Sequence, residues 1–504
     1  MKINRTAVFA LLALLLGIAA NLQTKAFAGT RTWQVTQPIR SEPVNEVIAD
    51  LQGYIPGYMQ RESIPGVSIA LIRDGEIVWT EGFGVTNTIT RKPVSADTLF
   101  EVASNSKVVT AYIALQLVDQ GLLSLDEPLN NYLSEPWLPP SKYRDTITLR
   151  QVLSHSSGLG HNTLSRDIRF VPGNGYSYSA IGFLYTQAVL EQVTGKPLED
   201  LGKEYVFEPL GMSSSSFTNQ AEIQTRTANG HLRTILPVIL FVIPFAASLL
   251  LVGLVGLVIL RIRTGRWRPT RRMAFGAITL AFFFTSLLFL ILFYQIGMPE
   301  YGWLIALCGL VVVLAFLVAY FAGRTLITRL MPDRTGLQRF LTVLWTIIII
   351  IGLVTLVRFF PNLPVPNNAP VEVSAAGTAR ATASDLATFL IELSKPQYLN
   401  LEMTYQLRTP QVTLRNDLSW GLGPGIQHSS DGDALWQWGQ APDYQSVMII
   451  YPELGNGVVV LTNSDLLNPD VAINIAHRAL GGKIEPLRRA THLEFNYDGP
   501  FLDE

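Results

Sequence analysis

Between Thr234 and Phe360 the chain holds four apolar runs, roughly Ile235 to Leu260, Ala274 to Ile296, Trp303 to Phe321 and Phe340 to Val357. At about 1.5 Å of rise per helical residue, each can cross the roughly 30 Å hydrocarbon core of a bilayer. An ordinary soluble fold is excluded for that stretch. Composition agrees: 15% of residues are charged, against about 25% in a typical soluble domain, and mean hydropathy is +0.28. The first connection carries Arg261, Arg263, Arg266, Arg268, Arg271 and Arg272, and the third Arg324, Arg329, Arg334 and Arg339. The second, Gly297 to Gly302, has only Glu300. The positive-inside rule places the first and third loops in the cytoplasm, so an even number of spans leaves both flanking segments outside. None of the four cores contains Asp, Glu, Lys, Arg or His. A transporter or channel would place ionisable groups there, so an anchor or packing module is the favoured reading. Cys308, inside the third run, reads as a small packing residue.

The N-terminus agrees with that topology. Lys2 and Arg5 precede an apolar run from Ala7 to Ala20, followed by Ala26-Phe27-Ala28, a small-x-small cleavage pattern. An uncleaved anchor is the alternative, but the run is short for a full span. The expected organisation is a signal peptide over 1–28, a linker over 29–44, an exported domain in two parts over 45–232 and 361–486, four spans over 233–360, and a polar, poorly ordered tail over 487–504. With 38 basic against 39 acidic residues there is no excess charge to hold nucleic acid. The single cysteine rules out an internal disulfide framework.

The exported parts mix periodicities. Ile69 to Ile72 and Glu76 to Thr80 flank Asp74-Gly75, a type I′ turn signal, and predict a hairpin. Ser446 to Tyr451 and Gly457 to Thr462 predict a second. Val44 to Arg61, Ser104 to Gln120, Ala180 to Thr194, Thr382 to Leu393 and Val471 to Leu480 carry helical periodicity or caps. An α+β domain follows, with strands from both ends of the chain in one antiparallel sheet.

The chemistry-bearing stretch is Phe100-Glu-Val-Ala-Ser104-Asn-Ser-Lys107. At an i, i+3 spacing on the first turn of a helix, Ser104 and Lys107 share a face. A buried amine beside a hydroxyl can take its proton or stabilise its alkoxide, and the helix N-terminus favours developing negative charge. The competing interpretation is an N-capping serine with a solvated lysine. Spacing alone does not choose between them.

Neighbouring motifs do. Phe100 to Lys107, Gly121-Leu-Leu-Ser-Leu-Asp126-Glu-Pro128, Leu153-Ser-His155-Ser-Ser-Gly158-Leu159, Pro172-Gly173 and Pro209-Leu-Gly211-Met212 stand in the order and spacing of the class C β-lactamase and penicillin-binding-protein family of serine hydrolases, which the chain resembles. Beyond the apolar runs, Ser374 to Leu390, Trp420-Gly-Leu-Gly423, Trp436 to Tyr444 and Val458 to Asn463 resemble the family's later segments. The resemblance covers about 45–232 and 370–482. It implies a β-lactamase-like α+β fold, a helical lobe on an antiparallel sheet interrupted by the four spans, with the active site between lobe and sheet.

It further implies that Ser104 is the acyl-accepting nucleophile and Lys107 its proton-handling partner. The family's Tyr-x-Asn motif looks like Tyr178-Ser179-Ala180, so Tyr178 would be general base and then acid, although Tyr176 in the same run keeps a core role for either tyrosine open. Ala180 lacks the amide that would bind substrate. The Lys- or His-x-Gly motif looks like Gln437-Trp438-Gly439, followed by Gln440. Gln437, Gly439 and Gln440 would therefore line the substrate edge, with the N–H groups of Gln440 and Ser104 forming an oxyanion hole. A neutral amide binds a carboxylate less strongly than a cation does, which moves the expected substrate from β-lactams towards esters, amides or D-amino-acid peptides.

The six histidines show no metal-ligand spacing, and there is no Gly-x-Ser-x-Gly elbow to supply a rival nucleophile. His155 is expected to be structural, and Asp126 and Asp385 loop and helix-cap residues. The expected protein is a membrane-bound serine hydrolase facing outward, without metal or cofactor, taking a small-molecule or cell-wall peptide substrate, with the lipid bilayer and no nucleic acid as partner. Two alternatives remain: a receptor acylated without turnover, and a degenerate domain that only binds.

Overall fold

The computed structural model describes residues 37–160, 166–233, 362–365, 372–464, 470–483, 486–488, 490 and 499–500. The export signal, the four apolar runs and Cys308 lie outside them. Among the described residues, no helix is long and apolar enough to cross a membrane.

The strands entering the site are β1 (Gln37–Ile39), β2 (Gly66–Arg73), β3 (Glu76–Gly84), β4 (Phe100–Glu101), β5 (Gly175–Tyr176), β6 (His231–Arg233), β7 (Asn362–Pro364), β8 (Arg380–Ala381), β9 (Val412–Arg415), β10 (Leu418–Trp420), β11 (Gly425–Gln427), β12 (Ala434–Ala441), β13 (Tyr444–Tyr451), β14 (Asn456–Thr462), β15 (Gly481–Gly482) and β16 (Gly499–Pro500). An eight-stranded antiparallel sheet runs β3-β2-β14-β13-β12-β11-β10-β9. The first and last parts of the chain meet at β2 and β14, where Val459 pairs with Ala70. Both predicted hairpins are present. Asp74 and Gly75 take φ of 54° and 79°, the left-handed geometry a type I′ turn needs at both central positions.

The central strands β2, β14 and β13 are buried on both faces, and their side chains alternate between two cores with the period of two that a strand imposes. Ile69, Leu71, Val458, Val460, Val447 and Ile449 join one cluster with helices α1 (Val44–Glu62) and α9 (Val471–Leu480). Ala70, Ile72, Val459, Leu461, Met448 and Ile450 face the other, with α2 (Asn105–Asp119), α4 (Ala180–Thr194) and α7 (Ala383–Ser394). Shorter helices, α3 (Leu149–Leu153), α5 (Leu198–Gly202), α6 (Ala221–Arg226) and α8 (Leu401–Arg408), complete the lobe. On β12, Leu435 faces the α2 side while Trp436 and Trp438 face away. Parity therefore turns Gln437 and Gly439 towards α2, where the nucleophile stands.

Helix limits follow local signals. Thr382 Oγ1 accepts from Asp385 N at 3.0 Å to cap α7, and Ser179 Oγ accepts from Gly182 N at 2.9 Å to cap α4. Asp126 pairs with Arg150 at 2.7 Å in a loop.

Where the tail expected over 487–504 is described, it is not loose. Leu487 and Ala490 are buried in the α1–α9 cluster, Arg488 forms an ion pair with Asp470 at 3.2 Å, and β16 pairs with β5. Two apolar side chains are too few to create a visible period, and a backbone ladder leaves no side-chain signature.

The chain leaves the domain after β6 and re-enters at β7, and these strands pair antiparallel, Arg233 opposite Asn362 and His231 opposite Pro364. Residues 234–361 are thus attached through a two-stranded neck. His231 is wholly buried there; desolvation is the largest cause holding its imidazole down at about 4. The neutral ring has one tautomer that satisfies both neighbours: Nδ1–H donates to the Asn463 carbonyl at 3.3 Å and Nε2 accepts from Thr88 N at 3.1 Å.

Candidate active site

Ser104 sits at the N-terminus of α2, just after Ala103, whose φ of 45° is left-handed. A non-glycine residue in that region is held there at an energetic cost. The surrounding bonds supply the hold. Ser106 Oγ donates to Ala103 O at 2.6 Å and accepts from Ala379 N at 3.0 Å. Asn105 Nδ2 donates to Ser446 Oγ at 2.7 Å, and Ser446 Oγ donates to Val102 O at 2.8 Å. The helix start is thereby fastened to β13 and to the loop before α7.

Ser104 Oγ makes no capping bond to its helix. Lys107 is 2% exposed, so its role as a solvated lysine is ruled out, and its Nζ donates to Ser104 Oγ at 2.9 Å and to Ala376 O at 2.7 Å. Of these two partners, the carbonyl lies in the part of the chain beyond residue 361. No residue-type pattern could have announced it, because any residue has a carbonyl.

The geometry also separates the two tyrosines. Lys107 Nζ lies 5.0 Å from the Tyr178 ring centroid, and Gln437 Nε2 donates to the Tyr178 hydroxyl oxygen at 2.9 Å. Tyr176 lies on β5, with its ring 5.5 Å from that of Trp420. Tyr178 is held on several sides. Its ring stacks on Trp438 at 5.2 Å and meets His155 at 4.3 Å. His155 adopts a φ of 58°, accepts from Ser177 N through its carbonyl at 2.8 Å, and accepts from Ser179 N through Nδ1 at 3.1 Å. The residues before and after Tyr178 are thus fixed by one histidine, which acts as a positioning residue.

Gln437 stands differently from the expectation that it lines the substrate edge. It is wholly buried, and its Nε2 is spent on the Tyr178 oxygen and on Trp438 O at 2.7 Å. Because a carbonyl can only accept, the amide orientation is fixed and the phenol oxygen is an acceptor in this contact. Gln437 therefore orients Tyr178 from beneath.

Gly439 does border the nucleophile. A Cβ there would lie 2.1 Å from Val102 O, 2.3 Å from Ser446 Oγ and 3.1 Å from Ser104 N. Only a residue without a side chain lets β12 come this close. Gln440 follows, paired with Gln445 and partly exposed. β11 pairs with β12 only over Ala434 to Trp436, so that partner strand stops short of the segment Gln437 to Ala441. Ala180, the first residue of α4, adds no polar group. Among the described residues there is no group of three or more His, Cys, Asp or Glu placed to hold a metal ion.

A serine on a helix N-terminus, a lysine bonded to it, a tyrosine beside both and a glycine edge strand, on this sheet-and-helix scaffold, define a β-lactamase-type serine hydrolase domain. The profile of the Beta-lactamase family matches residues 51–257 and 339–483, more than half of the chain, and the chain belongs to that family. The chain is 28% identical over 194 residues to "Esterase EstB" of Burkholderia gladioli, covering 32% of this chain and 49% of the esterase. It is 30% identical over 195 residues to "Putative penicillin-binding protein PbpX" of Bacillus subtilis, covering 35% and 47%. The chain thus matches less than half the length of these relatives. Among solved structures, the octameric penicillin-binding protein homologue from Pyrococcus abyssi superposes with a TM-score of 0.55 at 18% identity, over 87% of this chain and 78% of that one. The D-amino acid amidase from Ochrobactrum anthropi gives 0.53 at 17% identity, over 88% and 99%. At such identities the superpositions establish the fold.

Proposed function

We propose that the chain is a membrane-bound hydrolase of neutral esters or amides that works through an acyl-enzyme on Ser104. The observation that carries this reading is the contact chain from Ser104 Oγ to Lys107 Nζ, on which Tyr178 and its partner Gln437 converge. As Ser104 Oγ bonds to the substrate carbonyl carbon, its proton passes to the Tyr178 oxygen, in phenolate form beside the lysine cation. The oxyanion formed is bound by the N–H groups of Ser104 and Gln440. Collapse expels the alcohol or amine, which takes the proton from Tyr178. Water then attacks the acyl carbon by the same route, restoring Ser104.

Neutral substrates are favoured because Gln437, where a cation would stand, is a neutral amide buried against Tyr178, and because Ala180 offers no amide. An esterase and a D-amino acid amidase among the similar proteins fit this preference; penicillin-binding relatives keep D-amino-acid peptides and β-lactams in the test. Detergent-solubilised protein should turn over a p-nitrophenyl ester faster than a D-alanyl-D-alanine peptide or benzylpenicillin. A fluorophosphonate should label the tryptic peptide that contains Ser104. Label confined to other peptides would overturn the mechanism. An acyl adduct that forms once and persists would move the reading to a receptor acylated without turnover. In Gln437→Lys, a cation beside the phenol oxygen favours its ionised form, so the acid limb of the kcat/KM profile should move about one pH unit lower; an unmoved limb would count against Tyr178 as base.

The membrane attachment and outward orientation rest on the four apolar runs and the arginines between them. After Cys308→Ala, a cysteine placed at Gly265 should react with an impermeant maleimide only once cells are permeabilised. Labelling of intact cells would overturn the topology.

A further inference from the structure

The neck where residues 234–361 join the domain lies against the turn that carries the substrate edge, and this connection has no part in the chemistry proposed above. His231 N donates to Asp443 O at 3.4 Å, and Val365 N donates to Gly230 O at 2.8 Å. At Gly230, a Cβ would fall 1.8 Å from Asp443 Oδ2 and 2.2 Å from its Cγ, so the buried carboxylate is seated directly on the glycine backbone. Tyr444, the next residue, is buried and donates its hydroxyl to Ala228 O at 2.6 Å. Pro442 and Asp443 turn the chain from β12 into β13, and Tyr444, the first residue of β13, pairs with Ala441. The neck is in turn fastened to the domain rim, where Asn362 Nδ2 donates to Ser63 O at 2.8 Å and Thr88 Oγ1 to Asn362 O at 3.3 Å, and it is closed on itself by Asn229 Nδ2 donating to Val365 O at 2.9 Å.

We infer that the β6–β7 neck is a positioning device for the substrate edge: through the seat of Asp443 on Gly230 it sets how closely Gly439 and Gln440 approach Ser104. The part of this statement that concerns Ser104 rests on the proposed function; the part that concerns β12 does not. The physical basis is close packing. A turn held to the neck by one backbone bond, by the Tyr444 hydroxyl and by the seated Asp443 side chain cannot shift independently of it, because packed interiors transmit displacement instead of absorbing it. Displacement at the 3 Å scale of an oxyanion contact matters, since about 1 Å of misplacement can cost about 100-fold in rate. β6 and β7 flank residues 234–361 and pair in this one ladder, so a load passed along either strand reaches the turn of the edge strand.

The test uses the full chain in lipid nanodiscs and two readouts, hydrogen exchange over 437–446 and the rate of labelling by a fluorophosphonate. Gly230→Ala displaces the Asp443 carboxylate and should speed exchange over 437–446 at least about tenfold and slow labelling about tenfold or more. Asn362→Ala removes one neck bond without crowding anything, and should change both in the same direction by about threefold. Gln52→Ala, which removes an exposed bond to Glu81 on the far edge strand, should leave both within about twofold. Coupling is reciprocal: labelled wild type should exchange the His231 and Val365 amides about threefold more slowly than unlabelled protein. Wild-type exchange over 437–446 in a folded Gly230→Ala, or in Asn362→Ala where the first variant fails to fold, overturns the inference. Wild type that resists the reagent refutes the role of Ser104, and the exchange measurements then decide the neck on their own.

Discussion

Ser104→Ala should lower turnover of a small chromogenic ester by about 10³-fold or more, with the melting temperature unchanged or higher. The hydroxyl is positioned both for attack and for proton transfer: its oxygen lies 2.9 Å from Lys107 Nζ, on a helix N-terminus, in a residue 8% exposed. Removing it deletes the acyl-accepting atom and leaves Lys107 on the Ala376 carbonyl. Little stability is at risk, because Ser104 Oγ does not cap α2 and the residue before it is already held at a costly backbone angle. Substitutions that relieve a strained catalytic arrangement often stabilise. Equal concentrations of folded wild type and variant, compared by initial rate and by thermal melt, decide the matter. Ester turnover that survives the substitution would mean that the nucleophile is elsewhere, and the proposed acyl-enzyme would fall with it.

Most of the fold was legible because strands and helices declare themselves by period. The apolar runs about the Asp74-Gly75 turn signal and between Ser446 and Thr462 predict the hairpins, and the helical stretches from Ala180 and Thr382 begin where Ser179 and Thr382 cap them in the structure. The candidate site was legible where side-chain type carries the chemistry: Ser104, Lys107 and Tyr178 are brought together as their motifs imply. It was not legible where function rests on backbone or on depth. Ala376 contributes a carbonyl, and Ala103 contributes a dihedral angle. Gln437 has the residue type of a substrate-edge group, but the strand's parity and burial turn it towards the phenol oxygen. The seat of Asp443 on Gly230 depends on an absent side chain, visible only once the neck and the turn are seen in space. The same reason accounts for β16, whose pairing with β5 uses backbone groups alone.

Gly439→Ala carries the other large expectation, because it tests whether the edge strand must touch the start of the nucleophile helix. The new methyl carbon would stand 2.1 Å from Val102 O and 2.3 Å from Ser446 Oγ, both far inside contact distance. Neither neighbour can yield cheaply. Val102 O accepts from Ser446 Oγ, and Ser446 Oγ in turn accepts from Asn105 Nδ2, so moving either breaks the bonds that hold Ala103 and Ser104 in place. Overpacking of a tight interior costs about 1–3 kcal/mol, and loss of this network adds to that. The alternative response is for β12 to retreat from α2, which preserves the fold but carries the Gln440 N–H away from the oxyanion. Acylation should then fall by about 100-fold or more, the cost expected for losing one oxyanion donor. The two responses are distinguishable: destabilisation lowers the denaturation midpoint, whereas strand retreat lowers kcat and leaves the midpoint near that of wild type. In either case labelling of Ser104 by a fluorophosphonate should slow, since that reagent also builds negative charge on oxygen as it reacts. An alanine variant with wild-type stability and wild-type labelling would show that β12 does not approach Ser104 in solution, and would remove the edge strand from the mechanism.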